Sequence, residues 1–478
     1  MNPVWRVVKN SSSLASIALI DRSVGFILLW YVVRTQSQET WGEYSIALAF
    51  VIVFMPFAFW GADILLPREI ANRRSDTGSI LGNAILITAA VSVPVVLVAL
   101  AVTYVFDYSL ELRQLIGIAI VTNIFPRAEA RVVEAAVNGL EHMEWIAFIR
   151  LPTTIIRTIL AVLFLANGYH IGVIFFLFAI QSLLVIAFLL IVLHVSIPGF
   201  RLRISRSVLR QIVILAVPLI LIVFTGEAFK QVDRIFLSNW WDSETVGIYA
   251  TAAIPTEVTR MVILASLTAL FPPLSRAYVS SIERFADIGE RLMKLILIGV
   301  FPVMITIISL AEWITVRLFG EQYLDSVAPM RILAISLIFT ALSQLLFRML
   351  IASNHEKLAL NTAIVRSVVN LSLNVLLIPR YGVLGAGLSA TVTELAGYLQ
   401  NWRHISRSVI PINSRYALLR PGILVITCLV IYIPLALWNP IVAGVVILAL
   451  FLSLLLVSKT ISRQDITSLI DSNVHHDG

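Results

Sequence analysis

Several arginines and acids stand at the centres of stretches that are otherwise apolar, and their spacing limits the chemistry open to them. Arg127, Arg131 and Glu134 follow i, i+4, i+7, so they share one face of a helix. Glu257 and Arg260 stand three apart, as do Glu227 and Lys230, and each couple could neutralise itself one turn along a helix. Arg22, Arg157 and Arg366 have no acid at helical spacing except Asp21, which points elsewhere on its helix. Glu394 lies near the middle of another apolar stretch. Arg150, Arg331 and Arg348 sit closer to stretch ends, where a long side chain can snorkel to water. A charge at the centre of a bilayer costs at least ~2.5–3.5 kcal/mol, so the mid-stretch residues are expected to face a water-filled cavity, to pair or to bind something polar. A guanidinium stays charged at any accessible pH and grips oxyanions with two parallel N–H bonds. Thirty of the 35 basic residues are arginine, so the chemistry pointed to is anion recognition inside a membrane.

The elements that must carry these charges follow from composition. Hydrophobic residues are 59% and charged residues 13%, against about 25% charged in a soluble domain. Fourteen apolar stretches approach the ~20 residues that cross a bilayer as a helix. They fall at 12–33, 44–66, 80–106, 113–137, 146–166, 171–194, 208–237, 246–271, 289–311, 327–352, 358–378, 384–402, 421–438 and 441–458. Asp21 and Arg22 interrupt the first, which therefore reads as a retained span and not as a cleaved signal peptide.

Counting alternate loops, one side holds 19 basic residues, among them Arg68, Arg73, Arg74, Arg201, Arg203, Arg206 and Arg210. The other side holds only Arg34, Arg113, Arg317 and Arg380. The excess marks the cytoplasmic side, and an even number of spans puts both termini there. The net charge of +7 is explained by this topology and by attraction to anionic lipid. The single cysteine, Cys428, excludes an intrachain disulfide.

A faint repeat divides the chain. Thr40, Gly42, Tyr44 and Ala47 open the second span, and Thr245, Gly247, Tyr249 and Ala252 open the eighth with the same T-x-G-x-Y-x-x-A order. A six-span offset preserves orientation, the parallel kind of repeat that in many transporters places the substrate site where the repeats meet. The expected architecture is an all-α integral membrane protein with two six-helix lobes, 1–200 and 201–410. An accessory pair and tail follow at 411–478. Between Arg420 and Lys459 there is no Asp, Glu, Lys or Arg, so that pair is expected to face lipid or pack peripherally.

Longer motifs carry a resemblance. "WGEYSIALAF" leads to "WGADILLPREIA" in spans 2 and 3, and "VGIYATAAIP" opens span 8. "LFPPLSR" closes span 8, "LFGEQYLDSVAPMRIL" leads into span 10, and "LNVLLIPRYGVLGAGLSATVTE" joins spans 11 and 12. Pro379, Gly382 and Gly385 suit a tight turn between antiparallel helices, while Pro272 and Pro273 mark a helix end. Taken together these segments resemble the polysaccharide-transport branch of the multidrug/oligosaccharidyl-lipid/polysaccharide exporter superfamily. The resemblance implies a secondary transporter of the cytoplasmic membrane. Its substrate would be a polyprenyl-diphosphate-linked oligosaccharide, such as an O-antigen, capsule or exopolysaccharide repeat unit. Its surroundings would be membrane lipids and polysaccharide polymerase machinery. It also implies a central cavity, which Arg22, Arg127, Arg157, Arg260 and Arg366 would line to hold the diphosphate, with Glu227, Glu257 and Glu394 as candidates for coupling. Two relatives in the superfamily remain as alternatives: a lipid II flippase, and a cation-coupled multidrug exporter. The latter would want net acid in its cavity, whereas mid-span arginines here outnumber acids.

The energy source is read from what is missing. No G-x-x-x-x-G-K-[ST] loop occurs, and no cytoplasmic segment has the length of a nucleotide-binding domain. Membrane potential, or proton or sodium coupling, is expected in place of ATP, with no organic cofactor and no metal. A membrane glycosyltransferase or polymerase would need a sizeable external loop, and the external loops are short; His170 lies in one of them as a hairpin residue. The orientation has a direct check. Alkaline phosphatase inserted in the 201–206 loop should be inactive and in the 167–172 loop active; the reverse pattern would invert the topology.

Overall fold

In a computed structural model the chain is described over residues 23–227, 231–410 and 419–457. Among these residues the structure is helical, with no strand. The elements are α1 (Ser23–Thr35), α2 (Gln38–Phe59), α3 (Ala62–Asn72), α4 (Thr77–Val102), α5 (Leu110–Gly139), α6 (Met143–Ala166), α7 (Val173–Ser196) and α8 (Arg206–Glu227). They continue with α9 (Val232–Trp240), α10 (Ser243–Ala269), α11 (Phe271–Ser280), α12 (Ile282–Ile314), α13 (Val327–Ala352), α14 (Glu356–Ser408), α15 (Arg420–Trp438) and α16 (Pro440–Val457). Eight helical segments among the described residues are long and apolar enough to cross a membrane. α5 is not one of them, because its charges break the apolar window. Where they are described, the apolar stretches nevertheless fall on helices or on pairs of consecutive helices. The chain divides into two compact units between Gly247 and Ile248.

In the first unit α5 is the hub, packed against α2, α3, α4, α6 and α7. Its buried small residues, Ala119, Ala128, Ala135, Ala136 and Gly139, let neighbouring backbones approach. At Gly139 a Cβ would lie 3.0 Å from the Cα of Pro67 on α3. The "WGAD" motif makes the bend between α2 and α3. Trp60 takes φ 44° and Gly61 φ 81°, and the buried Trp60 indole N–H donates to the Thr88 hydroxyl on α4 at 2.8 Å. That bond and full burial offset the cost of a bulky residue in the left-handed region. After α7, the segment around Arg203 lies across the start of α4, where the Arg203 amide donates to the Gly78 carbonyl at 3.1 Å. Cβ atoms at Gly78 and Gly82 would collide with the Arg201 and Arg203 carbonyls, so both positions must stay small. α8 then packs on α2, α3 and α4, which keeps this segment with the first unit.

The two copies of the T-x-G-x-Y-x-x-A motif meet at their glycines. A Cβ on Gly42 would run into the Ser243 carbonyl, and one on Gly247 into the Gln38 carbonyl. Each glycine thus faces the residue four before the other, a reciprocal crossing of α2 with the first turn of α10. The tyrosine of the first copy, Tyr44, stacks on Trp41 at 5.7 Å and on Phe175 of α7 at 5.0 Å.

In the second unit α14 holds the eleventh and twelfth stretches. They fold on one another at Gly382 (φ 51°, ψ −126°), just after Pro379, and Gly385 has no room for a Cβ against the Leu377 carbonyl. Pro272 and Pro273 lie at the start of α11, so they begin a second short helix just after α10 ends. α12 and α13 pack with α14 around Phe285, Leu292, Leu345, Leu346 and Met349. The charge-free pair α15 and α16 packs on α12, through Phe301 against Phe451 at 4.7 Å and through the Ser309 hydroxyl, which donates to the Tyr432 hydroxyl at 3.3 Å. Its outer residues, including Ile426, Val430, Leu437 and Val445, are exposed and apolar, as a lipid-facing surface requires. A Cβ at Gly444 would lie 2.5 Å from the Ser309 Oγ. Gly444→Val should therefore loosen the pair by ~1–3 kcal/mol, read as a lower melting temperature of the purified protein. An unchanged melting temperature would mean that the pair is not held at this contact.

Candidate functional site

Two polar assemblies lie within the helices, one in each unit. In the first, Arg127 of α5 and Arg157 of α6 both place their guanidinium carbons over the ring of Phe178 on α7, at 5.1 and 4.0 Å from its centroid. Arg157 is buried and donates from Nη1 to the Gln181 Oε1 at 2.6 Å. The Gln181 amide nitrogen donates in turn to the Thr154 hydroxyl at 2.8 Å. Phe178 and Gln181 are three residues apart, so one face of α7 offers both the ring and the amide. One turn along α5, the exposed Arg131 lies over Phe59 at 4.7 Å, and Glu134 pairs with Arg150 at 3.4 Å. An aromatic face attracts a guanidinium by roughly 0.5–2 kcal/mol without consuming its in-plane N–H donors. Two like charges gathered on one ring repel one another, and an anion binding both would relieve that repulsion.

In the second unit Arg366 pairs with Glu394 across the fold of α14. Gly397, one turn beyond Glu394, makes room for the arginine, since a Cβ there would enter its side chain. The pair belongs to a polar seam between the two halves of the helix. Asn361 accepts from the Gln400 amide at 2.6 Å, Asn370 donates to the Thr393 hydroxyl at 3.5 Å, and Asn374 donates to Asn370 at 3.1 Å. The second carboxylate oxygen of Glu394 is buried with no hydrogen-bond partner. Glu257 and Arg260, both half-buried, lie one turn apart on α10, and Arg260 forms no ion pair with a described residue.

The structure thus brings together Arg127 and Arg157 in one unit, and Arg366 and Glu394 in the other. Arg22 lies outside the described residues, and Glu227 ends α8 with its side chain outside them. Phe178 and Gln181 escaped the sequence reading, because a phenylalanine in an apolar span carries no signal. Gln181 was a weak signal, as an amide well inside the 171–194 stretch. The Arg366–Glu394 pair bridges 28 residues of chain and has no helical spacing to reveal it.

Comparison with known proteins fits this picture of a multi-pass helical membrane protein. Residues 7–278, more than half of the chain, match the family described as polysaccharide biosynthesis protein, and the chain belongs to that family. Among curated relatives, the capsular polysaccharide biosynthesis protein CapF of Staphylococcus aureus is 25% identical over 201 residues, which are 41% of this chain and 50% of CapF. The probable low-salt glycan biosynthesis flippase Agl15 of Haloferax volcanii is 23% identical over 193 residues, 40% of this chain and 41% of that protein. The matches span half or less of the length of these relatives. Among solved structures, the lipid II flippase MurJ in an inward closed conformation superposes with a TM-score of 0.71 at 17% identity, covering 92% of this chain and 98% of that one. An inward-facing multidrug resistance transporter of the MATE family gives 0.65 at 14% identity, covering 81% and 98%. These likenesses concern the fold.

The ion pair of the second unit has a testable energetic signature. Arg366→Met or Glu394→Leu alone should destabilise the protein by ~1–3 kcal/mol, because each strands a half-buried charge, while the double variant should recover most of that loss. Additive losses in a double-mutant cycle would show that the two side chains are not coupled.

Proposed function

We propose that this protein is a flippase. It would carry a lipid-diphosphate-linked oligosaccharide from the cytoplasmic to the outer leaflet of the cytoplasmic membrane by alternating access, without ATP. The observation that carries the proposal is the convergence of Arg127 and Arg157 on Phe178. Two guanidiniums held at one point inside a membrane helix bundle suit a diphosphate, which offers oxygens to both. Family membership and the naming of relatives for capsule and glycan biosynthesis support the glycan class. The likeness to MurJ supports a fold able to move such a molecule.

Arg22, Arg260 and Arg366 are further candidates for binding the diphosphate, and Arg366 would have to exchange Glu394 for it. Glu257, Glu394 and Glu227 are the acids available for coupling to protons or sodium. The membrane potential supplies a further drive, since an anion moving outward from an inside-negative cell gains roughly 2.3 kcal/mol per charge per 100 mV. Both termini would lie in the cytoplasm, and polysaccharide polymerase machinery would act on the delivered units.

In a deletion strain the lipid-linked glycan should accumulate on the cytoplasmic leaflet, and mass spectrometry of the extracted lipid carriers would identify it. Arg127→Ala and Arg157→Ala should each fail to restore export while the protein is made at normal levels, and Arg157→Lys should restore it only in part, since a lysine cannot bind bidentately. An unchanged lipid-linked pool together with lost drug tolerance would replace this reading with that of a multidrug exporter.

A further inference from the structure

One carboxyl in the first unit serves none of the roles above. Glu129 lies on α5 two residues from Arg127, which turns it by about 200° onto the opposite face of the helix. It is 4% exposed, and neither carboxylate oxygen has a hydrogen-bond partner. On the same face, one turn on, are Val132 and Val133. Both belong to the apolar core that α5 shares with α3, α4, α7 and α8.

The charged and titratable neighbours are few. Of the helices packed on α5, α4 has no ionisable side chain and α7 has only His194. α2 brings Glu39, Glu43 and Tyr44, and α3 brings Asp63, Arg68 and Glu69. α6 brings Glu144, Arg150 and Arg157. None of these, and none of the other charged residues of α5, forms a hydrogen bond or ion pair with Glu129 among the described residues. The contrast with Glu394, which holds Arg366, and Glu134, which holds Arg150, is plain.

An ionised carboxylate needs several hydrogen bonds or a cation when it leaves water, and among the described residues Glu129 has neither. The neutral acid asks for far less. We propose that Glu129 is a proton-binding site: it holds a proton while α5 is packed as in this structure, and exchanges it only when that face of the helix opens to water. Two features make α5 suited to such opening. Pro126, three residues before Glu129, removes a backbone hydrogen bond from the middle of the helix. The same helix presents Arg127 on its other face, so a movement of α5 that alters access to the arginine also alters access to the acid. The site thus goes beyond the flippase reading and does not depend on the cargo.

Infrared difference spectroscopy of the full-length protein in lipid bilayers tests it, since a protonated carboxyl has its own C=O stretch. At neutral pH the wild type should show a protonated-carboxyl band that Glu129→Gln lacks. On transfer to deuterated water the band should shift slowly, over the opening time of the helix and not the mixing time. Glu129→Gln should melt at the wild-type temperature, because glutamine copies the shape and neutrality of the protonated acid. Identical bands in the two proteins would overturn the proposal, as would a shift complete on mixing. So would a Glu129→Gln protein that melts lower or does not accumulate, because it would reveal an ionised carboxylate paired with a cation. None of these readouts involves lipid-linked glycan, so failure here leaves the flippase reading to its own test.

Discussion

The cost of keeping a charge away from water governs how these helices are arranged. In hydrocarbon no solvent is present to complete a guanidinium or a carboxylate, so each must be completed by another part of the protein or by what the protein binds. The two units meet that demand differently. In the first, Arg127 and Arg157 lie over one aromatic ring, Phe178, and Arg157 also donates to the Gln181 amide oxygen. In the second, Arg366 is held by Glu394, which cancels its charge. One arrangement gathers two guanidiniums on a ring and an amide. The other stores a charge that becomes available only when its partner lets go.

Close approach of backbones is the second constraint, and glycine answers it both inside several of the family-like motifs and outside them. Gly42 and Gly247 admit one another's helices, Gly78 and Gly82 admit the segment after α7, and Gly385 admits the Leu377 carbonyl. Packing without a hydrophobic driving force depends on such contacts, because lipid tails are as apolar as the side chains they would replace. The motifs that mark the family therefore build the scaffold. The residues that could meet a cargo, Arg127, Arg157 and Gln181, lie outside them.

Glu129 and Arg127 show how one helix serves both constraints. Two residues apart, they face opposite ways, one into apolar core and the other toward an aromatic ring. Their opposite environments follow from helical pitch alone once the neighbours of α5 are known. The neighbours themselves, four of them tightly packed, are what the small residues of α5 permit.

The sequence by itself determined the number and order of apolar stretches, the repeat at Thr40 and Thr245, the tight turn at Gly382 and the peripheral character of the charge-free pair. Each of these is local: it depends on composition, on spacing within one helix, or on backbone preferences of glycine and proline. Tertiary structure alone decided which charges meet. Arg366 finds Glu394 because α14 folds back at Gly382 in one register, and a shift of a single residue would turn the acid away. Arg127 and Arg157 share Phe178 because α5, α6 and α7 pack side by side, and Glu129 lacks a partner among the described residues because its face of α5 turns into the apolar core. Helical periodicity predicts which residues share a face. It carries no information on which faces are brought together, and the fate of a charge inside a membrane depends on that.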